Sequence, residues 1–219
     1  MRAVLVLALL WLAPAAAFAA APVCARDCGC AAAPGSAEEE ACRARATLCR
    51  AREVLCEGRM ALYAQVIAFV GDGVTTHPLS PRLAAGLQRF YPRSDLARVR
   101  VGFAPNQPPE NAITDCETIY FANAGTVARV RDGTIRDDVD WIWLLHELRH
   151  TEQCRILGGR DAYALAWMED VPLQDLGRGE IDPAAIHDAM PMERDASERA
   201  KAVLAELGTC CRRESGELR

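Results

Sequence analysis

The run Trp141-Ile142-Trp143-Leu144-Leu145-His146-Glu147-Leu148-Arg149-His150-Thr151-Glu152-Gln153 restricts this chain more than any other stretch. It contains H-E-x-x-H, from His146 to His150. Residues 142–145 are apolar, proline is absent, and Gly158-Gly159 follows as a stop, so the run predicts a helix driven into a core. On an α-helix, positions four apart differ by about 40° around the axis and about 6 Å along it. Both imidazoles then project from one face and reach a single tetrahedral Zn²⁺ at about 2.0–2.1 Å. Glu147 lies beside that face, placed to take a proton from a water at the metal and return it to a leaving amine. The competing reading is a pair of structural histidines. It suffers from the cost of burying unpaired imidazoles.

Two histidines do not complete such a site; a third protein ligand is needed. The continuation H-E-x-x-H-x-x-G-x-x-H fails, because Gln153 stands at the glycine position and Ile156 at the last histidine. The best candidate is Glu193, in the segment Met192-Glu193-Arg194-Asp195-Ala196-Ser197. That segment opens a helix, with Pro191 near its first turn and Ala, Val and Leu spaced through residues 196–207. Asp195 and His187 are the reserves. A first-turn acid that merely complements the helix dipole is the alternative for Glu193.

Residues 78–206 resemble a small bacterial peptidase family, the minigluzincin-like extracellular contractile injection system core domain. The likeness rests on Leu96-Ala97-Arg98-Val99-Arg100-Val101, on residues 112–121, and above all on Leu144-Leu145-His146-Glu147-Leu148-Arg149-His150-Thr151-Glu152-Gln153. The last of these is similar to the family's HELxHxxQ. The resemblance implies zinc at His146 and His150, a base at Glu147 and a third ligand most similar to Glu193. The chain departs from the pattern at Gly102-Phe103, where a histidine often follows the Val-Arg strand, and at Cys154, where a second glutamine stands.

The expected organisation is a secretory leader at residues 1–19, a Cys-rich helical arm at 20–75 and a metallopeptidase domain at 76–219. The leader is read from Arg2, an apolar run and the small-x-small site Ala17-Phe18-Ala19. No later segment reads as a membrane span. The mildly acidic formal charge of −5 argues against nucleic acid or an anionic membrane as partner. A bacterial periplasmic or secreted location follows from the leader and from ten cysteines, an even count that reads as disulfides after export.

Cys42, Cys49 and Cys56 are seven apart and form one stripe on a helix over residues 37–70. Residues seven apart stand about 10 Å apart along the axis, so the stripe cannot bridge to itself. Cys24, Cys28 and Cys30 are the expected partners. Cys116 and Cys154 are the expected pair between a strand and the metal helix, and Cys210-Cys211 would tie the C-terminal tail.

Ser80-Pro81 predicts a helix start, residues 98–103 a strand, and residues 113–122 a second strand. Residues 118–121 are expected as an open edge for an extended substrate. Residues 161–170 read as another helix, and 177–182 as a loop shaping the cleft. Tyr163, His187 and Arg149 are candidate oxyanion donors. The fold class is therefore α+β, mostly helical, with a zincin-like core, a small β-sheet and a disulfide-rich N-terminal arm. The expected function is zinc-dependent hydrolysis of a peptide or protein substrate, with Glu147 as base. The alternative is a non-catalytic secreted module stabilised by zinc.

Overall fold

The structure, a computed structural model, describes residues 22–25, 27–29, 36–108, 111–170 and 190–210. The leader, Cys30, His187, Cys211 and the loop at 177–182 lie outside them. The described fold is α+β and mostly helical, with one small four-stranded mixed sheet. The chain divides into two compact units, Met1–Ala61 and Leu62–Arg219.

In the first unit the cysteine stripe lies on α1 (Ala37–Gly71), a 35-residue helix that ends at Gly71-Asp72-Gly73. Cys24 bonds Cys56 and Cys28 bonds Cys49, each with Cα atoms 5.6 Å apart. The earlier cysteine takes the later partner, so the short segment runs opposite to the helix. Cys42 is disulfide-bonded as well. These bridges fit a chain that matures in an oxidising compartment. One expectation needs correcting here. By length and composition alone, Glu38–Gly71 includes an 18-residue window apolar enough to cross a membrane, 22% of it buried. Charges thin out after Arg59, and the alanines and valines that follow raise the hydropathy without a proline or glycine break.

The second unit is built on the sheet β1 (Thr76–Pro78), β2 (Arg100–Phe103), β3 (Ala112–Asp115) and β4 (Thr118–Phe121), in the order β1-β2-β4-β3. β2 and β4 are parallel, and the other pairs are antiparallel. Gly102 admits this arrangement: a Cβ there would meet Val74 Cγ1 at 2.5 Å. Two strand expectations are corrected. The run 113–122 is two strands, because the chain reverses at Cys116-Glu117 with Cys116 at φ 52°. Residues 118–121 are central, flanked by β2 and β3, so the edge strand on that side, among the described residues, is β3.

Among the described residues, five further α-helices belong to the unit. α2 (Pro81–Leu87) starts at Ser80, whose hydroxyl accepts from the Leu83 N–H. α3 (Ala124–Asp132) is capped by Asn123. α4 (Asp138–Leu157) is capped by Asp137 and stopped by Gly158 at φ 96°. α5 (Arg160–Asp170) and α6 (Pro191–Cys210) follow. The apolar stripe of α4 is Trp141, Leu144, Leu145 and Leu148, at i, i+3, i+4 and i+7, all buried. That of α6 is Ala196, Ala200, Val203 and Leu207, spaced 4, 3 and 4 and equally buried. The Tyr91 hydroxyl donates to the Leu145 carbonyl at 2.8 Å inside the same core.

Candidate metal centre

The face of α4 next to its apolar stripe carries His146, Glu147 and His150, all buried. The first turn of α6 brings Glu193 to them. His146 Nε2 lies 3.0 Å from Glu193 Oε2, His150 Nε2 lies 3.1 Å from the same oxygen, and the two Nε2 atoms are 3.1 Å apart. This buried His/His/Glu group could hold a metal ion. The three atoms make a nearly equilateral triangle. Ligands about 2.0–2.1 Å from a tetrahedral ion stand about 3.3 Å from each other, so the triangle is close to one face of such a tetrahedron.

Hydrogen bonds around the triangle show which atoms face inward. The Gln153 amide nitrogen donates to the Met192 carbonyl (3.0 Å) and to Asp195 Oδ2 (2.7 Å), both acceptors only. Its oxygen therefore faces His150 Nδ1, 2.7 Å away, and that nitrogen must carry the proton. In the neutral ring the lone pair is then on Nε2, aimed at the other two ligand atoms. On His146, Nδ1 meets the Ser197 hydroxyl at 3.3 Å, leaving Nε2 inward. The Trp167 indole N–H donates to Glu193 Oε1 at 3.0 Å, so Oε2 is the carboxylate oxygen left for the centre.

The point where the three atoms converge can be filled by a proton shared between His150 and Glu193 or by a cation in its place. Burial works against a charge on His150, yet the Glu193 carboxylate overrides it and lifts this imidazole to about 9, with Glu147 and Gln153 adding. The donor set of two imidazoles and one carboxylate suits zinc and other borderline divalent ions.

The remaining candidates separate clearly. Asp195 turns to Arg149, at 2.7 Å from Nε and 3.3 Å from an Nη, and to Gln153. Burial works against its charge, but these donors hold its carboxyl below the usual range. Arg149 is also bonded to Glu152 at 2.5 Å, so it braces α4 against α6. Tyr163 on α5 is buried, with its ring 6.2 Å from that of His150. Burial first, then Tyr63, Glu147 and Glu193, raises its hydroxyl well above the usual value. That hydroxyl makes no hydrogen bond to any described residue. Glu147 is met by Thr114 of β3, whose hydroxyl donates to Glu147 Oε2 at 2.7 Å. Cys116 and Cys154 are joined, with Cα atoms 5.4 Å apart, tying the β3–β4 turn to the last turns of α4.

Sequence reasoning left out Ser197, Trp167 and Thr114. Ser197 had a signal, since it lies one helical turn after Glu193. The other two come from distant elements and had none. No protein-family model, curated protein or solved structure matches the chain.

Proposed function

We propose that this is an exported bacterial zinc metallopeptidase of gluzincin type, periplasmic or secreted, that hydrolyses peptide bonds. The observation that carries the reading is the convergence of His146 Nε2, His150 Nε2 and Glu193 Oε2 on one buried point, with Glu147 next to the first of them on the same helix. His146, His150 and Glu193 would hold a zinc ion, which would supply Lewis-acid chemistry and a water acidic enough to react at neutral pH. Glu147 accepts the proton of the attacking water and delivers it to the leaving amine. The Tyr163 hydroxyl is the donor for the developing oxyanion.

The open edge of β3 is the docking strand for an extended peptide. The Ala122 N–H donates to the Asn111 carbonyl at 2.9 Å, which fixes the alternation in this antiparallel pair. Asn111, Ile113 and Asp115 direct their backbone groups to β4, while Ala112 and Thr114 direct theirs outward.

Metal analysis of purified protein is expected to give about one zinc per chain. Glu147→Gln keeps that metal and abolishes cleavage of peptide libraries. If the wild type and Glu147→Gln behave alike in every cleavage assay, the metal is structural and the chain is a binding module.

A further inference from the structure

We propose that Thr114 is a positioning residue, one that holds the base from the same strand that receives the peptide. This rests on the metallopeptidase reading above. The hydroxyl of Thr114 claims one oxygen of the Glu147 carboxylate at 2.7 Å, and both side chains are buried. Glutamate has three rotatable side-chain bonds, and a water-facing base on α4 alone would sample several positions. Threonine is stiff at χ1, so the strand aims its hydroxyl with little freedom. One carboxylate oxygen is thereby fixed and the other is left for the reacting water.

The strand is itself fixed to α4. Its turn is held by the Cys116–Cys154 bond, and Asp115 accepts from Arg160 Nε at 2.7 Å and from the Tyr63 hydroxyl at 3.1 Å. The backbone N–H and C=O of Thr114 point away from β4, to the side of the sheet where the peptide would pair. A single residue thus links the two halves of the reaction: its backbone sets the height of the scissile bond and its side chain sets the base. Substrate and base are then referenced to the same strand, so a small shift of β3 moves both together.

The test uses full-length zinc-loaded protein and a peptide that the wild type cleaves. Thr114→Val keeps the shape and removes the hydroxyl. It should keep its zinc and leave KM within about twofold while lowering kcat about 10- to 100-fold, the scale of a misplaced reacting group. Thr114→Ser should recover kcat to within a few-fold. In a Glu147→Asp background, whose shorter carboxylate does not reach the hydroxyl, Thr114→Val should cost less than twofold. If Thr114→Val does not fold, Thr114→Cys takes its place. A rise in KM with kcat unchanged, or an equal loss in the Glu147→Asp background, overturns the proposal. Those results leave the metallopeptidase reading standing, provided Glu147→Gln is inactive. A wild type that cleaves nothing sinks both.

Discussion

Replacing Gln153 by leucine tests the centre without touching a ligand. The amide makes three short bonds: it accepts from His150 Nδ1–H at 2.7 Å and donates to the Met192 carbonyl and to Asp195. Leucine of similar size leaves the Nδ1–H buried without an acceptor, at about 1–3 kcal/mol. Loss of the outer partner of a ligating histidine typically weakens metal binding about 10- to 100-fold, or about 1.4–2.7 kcal/mol. The two ranges describe largely the same interaction, so they overlap and are not summed. Asp195 keeps its two bonds to Arg149, which confines the damage to the histidine and the first turn of α6. Gln153→Glu makes a useful contrast. It still accepts from Nδ1–H, but it sets a second carboxylate against Asp195 and should lower melting temperature more than zinc affinity. Competition for zinc against a chromophoric chelator, with melting curves of apo and loaded protein, gives both numbers. Gln153→Leu binding zinc within twofold of wild type would refute the claim that Gln153 fixes the tautomer and direction of His150.

Three further outcomes follow from named contacts. Glu193→Ala should lose zinc on dialysis where Asp195→Ala retains most of it; the reverse ranking, read by metal analysis, would make Asp195 the ligand. Replacing Cys116 and Cys154 together by serine opens a link between residues 38 apart, worth about 4 kcal/mol by chain entropy, and should show as a lower melting temperature. Asp140, which accepts from Thr126 Oγ1 at 2.7 Å and is paired with Arg129, is opposed by burial but held below its usual carboxylate value by these donors. A depressed pKa contributes stability above the unfolded value, near 4, that is lost as pH falls through the folded value. Acid unfolding should therefore lose part of its pH dependence below about pH 4 in Asp140→Asn, and an unchanged titration would refute the assignment.

The parts of this fold that sequence reveals are those set by local rules. His146 and His150 are legible because four residues return a helix nearly to the same face, and α4 ends where Gly158 allows a left-handed residue. Cys42, Cys49 and Cys56 are legible by the same periodicity, and geometry alone forbids them to bond one another. The edge of the sheet was not legible. Six of residues 112–121 are β-branched or aromatic, and Asp115-Cys116-Glu117 interrupts them without a glycine, proline or asparagine to mark the reversal that Cys116 makes at positive φ. Strand order depends on pairing between segments distant in sequence, so a central strand and an edge strand of four residues look alike. Glu193 stood beside Asp195 in the same helical turn, and only the direction of each from α6 separates ligand from brace.

That direction explains how the centre holds its shape. α6 packs on α4 through Ala196, Ala200, Val203 and Leu207, contacts that owe nothing to a metal. The two larger side chains alone contribute about 1.5–3 kcal/mol each on burial. The small residues at 196 and 200 let the helices approach closely enough for Glu193 and Ser197 to reach His146. Arg149 and Gln153 reach back from α4 to Asp195, so each helix positions the other's polar groups. Packing of the apolar stripes therefore holds the two Nε2 atoms and Glu193 Oε2 3.0–3.1 Å apart. A divalent ion can replace the proton that His150 otherwise shares with Glu193 without rearranging the helices. Zinc binding should consequently raise the melting temperature while leaving far-ultraviolet circular dichroism unchanged, and a large gain of helix on adding zinc would show instead that the ion assembles the site.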